Sequence, residues 1–73
     1  HIVSANSIKE LKQKLQQKNI VKAYMIDDPK IENEIKGQID GITTRIIENS
    51  NKQGICISSG KKTNTVAYFA KAY

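Results

Sequence analysis

The chain has 73 residues, 38% hydrophobic and 26% charged, with 12 Lys and Arg against 7 Asp and Glu for a formal net charge of +5. That length reads as a single domain over residues 1–73, with a thin core, because so short a chain buries only about 60% of the surface that its unfolded form exposes. No apolar run approaches the roughly 20 residues that cross a bilayer, and no secretory leader pattern is present.

The single cysteine cannot form an internal disulfide, which suits a reducing compartment and makes the cytoplasm the expected location. The chain begins at His1 rather than methionine, which reads as a fragment or a processed product. The basic surplus fits weak attraction to RNA or another polyanion, but it fits the ordinary solvated surface of a small domain better.

In chain order, "HIVSAN" can add an edge strand. "SIKELKQKLQQK" reads as a helix: Ser7 and Glu10 have capping-box spacing, and Ile8, Leu11 and Leu15 form one apolar stripe. Lys12, Lys14 and Lys18 are placed toward water, with Lys18 in the last turn, where a cation suits the helix dipole. "IVKAYMI", residues 20–26, is β-branched and aromatic and too short for a helix, so it is predicted as a strand.

A second helix is predicted over "DDPKIENEIKGQI", with Asp28 as N-cap, Pro29 at its first position, and Gly37 or Gly41 at its exit. Ile31 and Ile35 share one face of it. "GITTRIIE" follows as a strand, with Ile42, Thr44 and Ile46 on one side and Thr43, Arg45 and Ile47 on the other. "NSNKQG" is a loop by composition. "ICIS" reads as a short strand, "SGKKTN" as a turn, and "TVAYFAKAY" as the final strand. The fold class expected is a two-layer α/β (α+β) sandwich, β-α-β-α-β-β, with two helices on one face of a small mixed sheet.

The stretch "GICISSGKK", residues 54–62, carries the chemistry-bearing residue types. A phosphate-binding loop needs Gly, four residues, then Gly-Lys-Ser/Thr. Five residues separate Gly54 from Gly60, Lys62 stands where the hydroxyl belongs, and no helix pattern follows, so that reading fails. A nucleophilic Cys56 needs a base, and the single histidine is His1; between Ile55 and Ile57 the thiol reads as a small core residue. A metal site needs three or four ligands. "CISSG" nonetheless has the outline of a Cys-x-x-Cys-Gly knuckle whose second cysteine is Ser59.

Taken together, "SIKELKQKL", "DDPKIENEIK", "TTRII", "GICISSGKK" and the closing Phe69-Ala70-Lys71-Ala72-Tyr73 resemble the C-terminal domain of prolyl-tRNA synthetases of the archaeal and eukaryotic-like type. The likeness runs from about Ser7 to Tyr73, and the ending is its most specific part. It implies a fold like that of the C-terminal domain of translation initiation factor three.

The resemblance also implies a zinc module in many members, whose four ligand positions fall here on Ile26, Ile31, Cys56 and Ser59. Only Cys56 is a ligand type, so no bound zinc is expected. Structural zinc supplies about 10–16 kcal/mol of apparent folding free energy, whereas two buried isoleucines return roughly 1.5–3 kcal/mol each. The isoleucines need not match the metal to leave a packed corner.

The implied activity belongs to a parent enzyme, proline–tRNA ligase, which uses ATP and Mg to make prolyl-adenylate and passes the prolyl group to tRNA. This domain would be non-catalytic and hold no cofactor. Its implied partners are the catalytic and anticodon-binding domains of the same chain and, through the parent, proline tRNA and a second subunit of a homodimer. Tyr73 matches the terminal tyrosine that in relatives reaches toward the active site; it reads equally as an aromatic plug on a sheet edge.

Two other readings stand beside this one. The first is a free-standing RNA-binding module, with Arg45, Lys61, Lys62 and Lys71 as contacts, although each is also ordinary solvated charge. Against it, Gly37 and Gly41 do not make a GXXG loop, and Tyr68 and Phe69, as strand neighbours, face opposite ways. The second is a module that only stabilises its parent.

Overall fold

Two local signals start the helices. Ser7 stands in extended backbone and its Oγ accepts the Glu10 N–H at 3.1 Å. The Glu10 carboxylate reaches back to the Asn6 N–H at 2.9 Å, one residue earlier than a simple capping box requires. In the second helix the Asp28 carboxylate accepts the Lys30 N–H at 2.9 Å, and Pro29 occupies the first turn, where no N–H is needed.

The computed structural model describes residues 2–71, the side chain of Ile46 excepted. Its elements are β1 (Ile2–Ser4), α1 (Ile8–Gln16), β2 (Ile20–Tyr24), α2 (Pro29–Gln38), β3 (Ile42–Ile55) and β4 (Lys62–Lys71). This is the β-α-β-α-β-β order expected. Helix α1 ends earlier than its sequence pattern: Lys14 is the cation of its last turn, and Lys18 lies beyond it in left-handed backbone with φ of 64°. Of the two glycines proposed for the exit of α2, Gly37 lies inside the helix and Gly41, with φ of 74°, follows it.

The sheet is mixed, in the order β1-β2-β4-β3. β1 runs parallel to β2, and β4 pairs antiparallel with both β2 and β3. Alternation along β2 and β4 divides the molecule. Val21 pairs with Phe69 and Ala23 with Ala67, and these four join Leu11, Leu15, Ile35, Ile39 and Ile42 in one buried core. Both helices therefore cover the same face. The opposite face carries the pairs Ile2–Ile20, Lys22–Tyr68 and Tyr24–Val66.

β3 departs from the sequence expectation in three ways. Between Thr44 and Ile47 it advances three residues while β4 advances two, from Phe69 to Ala67. The extra residue is a β-bulge, and it breaks the simple alternation. Ile47 thereby pairs with Ala67 on the helix side rather than sharing a side with Thr43 and Arg45.

Second, "NSNKQG" is strand rather than loop: β3 continues to Ile55. It does so with a larger irregularity, five steps from Asn49 to Gly54 against two from Thr65 to Thr63. Side chains stitch the bulged stretch, with Ser50 Oγ accepting the Lys52 N–H at 3.2 Å and Asn64 donating to the Ser50 carbonyl at 3.4 Å. Third, the strand expected at "ICIS" stops at Ile55, and the turn closes by Lys61, so Lys62–Asn64 already belong to β4.

Gly54 is fixed by close approach. A Cβ at this position would clash with the ring of Tyr24. The ring crosses from β2 over β4 to reach β3, and Val66, the partner of Tyr24 across the ladder, is 1% exposed. Gly54→Ala must displace that ring, and such overpacking costs about 1–3 kcal/mol. Denaturant unfolding of the variant against the parent protein measures it, and an unchanged midpoint would show that the ring is free to move.

Candidate functional site

The corner where β2 ends and β3 turns into β4 gathers most of the positions singled out in the sequence. Cys56 donates its N–H to the Lys61 carbonyl at 2.8 Å and accepts the Gly60 N–H at 3.0 Å, closing a tight turn. Gly60 has φ of 75°, the left-handed backbone that glycine adopts without strain. The Ile57 N–H donates to the Tyr24 carbonyl at 3.0 Å, which ties the turn to the end of β2. Ser58 Oγ donates to Glu34 Oε2 at 2.9 Å, tying it to α2, one turn beyond Ile31.

At the centre of the corner the Cys56 side chain is buried, with 2% of the residue exposed. Its Sγ accepts the Ser59 N–H at 3.5 Å. The Ser59 hydroxyl and the N–H groups of Ile26 and Ser58 also hydrogen-bond to it. Burial, the largest single influence, pushes the thiol up; the four hydrogen bonds together outweigh it and bring the thiol below its usual value.

Three of the four knuckle positions, Ile26, Cys56 and Ser59, therefore meet around one sulfur. The fourth, Ile31, is half-buried and packs against the main core. This donor set does not fit a structural zinc ion. It offers one thiol, whose hydrogen-bond partners are backbone amides and a hydroxyl, and two alkyl side chains with no lone pair to give. Among the described residues no group of three His, Cys, Asp or Glu side chains is placed to hold a metal ion.

The proposed RNA contacts are not brought together. Lys62 and Lys71 stand at opposite ends of β4, about 30 Å apart at the usual strand rise. Lys61 is exposed at the turn, Lys71 is half-buried, and Arg45 is exposed on the helix-free face. Tyr73 lies outside the described residues, as does the histidine at position 1.

One constellation was not legible in the sequence. The Tyr68 hydroxyl donates to Glu48 Oε1 at 3.0 Å, and the Lys22 ammonium stands 5.9 Å from the centre of the Tyr68 ring. Alternation in "IVKAY" and "TVAYF" orders each strand's own sides. Placing Lys22 opposite Tyr68 needs the register between two strands 46 positions apart in the chain, which no local signal carries.

The fold and this corner define a small α+β domain with a knuckle-shaped turn and no assembled catalytic group among its described residues. The model of the family described as prolyl-tRNA synthetase, C-terminal, matches residues 8–73, and the chain belongs to that family. It is 38% identical over 72 residues to the proline–tRNA ligase of Ureaplasma urealyticum serovar 10 and, to the same degree, to that of Ureaplasma parvum serovar 3. In both comparisons 99% of this chain is covered and 15% of the relative, so the chain spans about one seventh of the length of these ligases. Among the described residues no helix is long and apolar enough to cross a membrane.

The lowered thiol has a thermodynamic consequence. Because the native group titrates below the unfolded one, folding favours the thiolate. The stability that Cys56 contributes is present in full above the unfolded pKa and is lost as pH falls through the native pKa. Between those values stability rises with pH. Urea unfolding at a series of mildly alkaline pH values should show this rise in the parent protein and not in Cys56→Ala. Equal slopes would mean that the amides do not stabilise the thiolate.

Proposed function

We propose that the chain works as the non-catalytic C-terminal domain of a proline–tRNA ligase. The match to the C-terminal family model over residues 8–73 carries this reading. The near-complete coverage of this chain in its match to two ligases, 15% of whose length it aligns with, supports it. On this reading, activation of proline with ATP and Mg, release of pyrophosphate and transfer of the prolyl group to the tRNA 3′ end belong to a catalytic domain elsewhere in the polypeptide. An anticodon-binding domain supplies tRNA selection, the working enzyme is a cytoplasmic homodimer, and this domain packs on its parent.

Within that role the knuckle is a metal-free structural corner. Backbone N–H groups and the Ser59 hydroxyl satisfy the sulfur that a metal would otherwise bind. Elemental analysis of the purified ligase is expected to find no stoichiometric zinc bound by this domain, and a chelator to leave its melting temperature unchanged. A full equivalent held at Cys56 would overturn the assignment.

Tyr73 is the residue proposed to act on the parent, by reaching toward its active site. Removing it from the full-length ligase is expected to slow prolyl-adenylate formation by about 10–100-fold, the scale on which misplaced active-site groups act. Pyrophosphate exchange with proline and ATP reads the step directly. An unchanged rate would leave the domain a stabilising role alone.

A further inference from the structure

The face of the sheet opposite the helices carries an apolar hollow lined by Ile2, Ile20, Arg45, Glu48 and Tyr68. Ile2 is 62% exposed and Ile20 41%, and the two are paired across β1 and β2, so they form one contiguous aliphatic surface. A small domain gains nothing from leaving two adjacent β-branched residues in water, and such patches mark docking sites. Arg45 has no carboxylate partner among the described residues. The aliphatic centre, a tyrosine and an unpaired arginine at the rim match the composition of protein interfaces.

The same geometry argues against RNA. A base stacking on Tyr68 would compete with the Lys22 ammonium already beside that ring, and phosphate would meet the Glu48 carboxylate that holds the tyrosine hydroxyl. The relatives show what is available instead. In them this domain is 15% of a longer polypeptide, so the other 85% or so is tethered to it. Tethering holds two surfaces at an effective concentration in the millimolar range, at which a modest patch suffices.

We infer that the helix-free face of the sheet, centred on Ile2, Ile20 and Tyr68, is the surface by which this domain docks onto the rest of a proline–tRNA ligase. It meets there an apolar protein surface that presents a carboxylate to Arg45. This rests on the domain's being part of such a ligase and adds which face is used and what the partner surface must carry.

Hydroxyl-radical footprinting of the full-length ligase tests it, with oxidation of Tyr68 as the readout. Tyr68 is expected to be protected in the parent enzyme without tRNA. Oxidation should accelerate several-fold in Ile20→Glu and in Arg45→Glu, which leaves the core untouched. Ile55→Glu, at a 53% exposed isoleucine that does not line the hollow, should not change it.

Equal rates in the parent and both patch variants would overturn the inference. Protection of another face of the domain would overturn it while leaving the domain's place in the ligase intact. Protection of no face would remove both. Protection that appears only with added tRNA would assign the face to RNA, and protection that grows with enzyme concentration would assign it to a second copy; either result overturns it.

Discussion

Strand β4 is the constraint on which the molecule depends. It lies between β2 and β3 and bonds to both, so its alternation sets the content of each face. Ala67 and Phe69, both fully buried, point to the side that α1 and α2 cover. Val66 and Tyr68 point to the other side. Both helices of the described residues lie on that one side, and the apolar stripes of α1 and α2 are spent on it. The second face is left to Tyr24 lying over Val66 at one end and to the exposed isoleucines at the other. Among the described residues no further element closes it.

The knuckle corner solves a related problem. Three segments that a metal could have clamped, the end of β2, the start of α2 and the β3–β4 turn, are joined by single hydrogen bonds: Ile57 to Tyr24, Ser58 to Glu34, and the amides around Cys56 Sγ. Each such bond contributes only about 0.5–1.5 kcal/mol net, far less than a bound metal supplies. Their number and their partial burial compensate in part. Met25, immediately after β2, is fully buried and its N–H donates to the Thr65 carbonyl at 3.0 Å, so the strand passes into the corner without a gap in its bonding. The backbone bonds of the turn close within residues 56–61.

How much of this was legible follows from where each signal resides. The helix starts are local: Ser7 with Glu10 and Asp28 with Pro29 act within one turn of chain, and both were read from sequence. The β-branched and aromatic run "IVKAYMI", too short for a helix, pointed to β2 in the same way. The continuation of β3 through "NSNKQG" could not be read, because those residue types favour turns and the extended form is imposed by pairing Asn49 with Thr65 and Gly54 with Thr63. The bulge between Thr44 and Ile47 is likewise invisible in composition, yet it decides which side Ile47 occupies. At the site, the knuckle outline was legible because it is a short contiguous motif. The Lys22–Tyr68–Glu48 group was not, because it is assembled from three strands.

The two unfinished features of the domain point the same way. A knuckle whose donor set does not fit a metal suits a domain that does not depend on a metal's folding free energy, and a half-covered sheet suits the docking proposed above. Both make sense when the stability of the domain is shared with a larger body: docking adds apolar burial at roughly 25 cal/mol per Å² on the open face. It does so at reduced entropic cost, since the chain connection has already limited the relative freedom of the two parts. On that account the exposed pair Ile2 and Ile20 and the weakly clamped corner at Cys56 are one adaptation, a small domain folded to be completed by its neighbour.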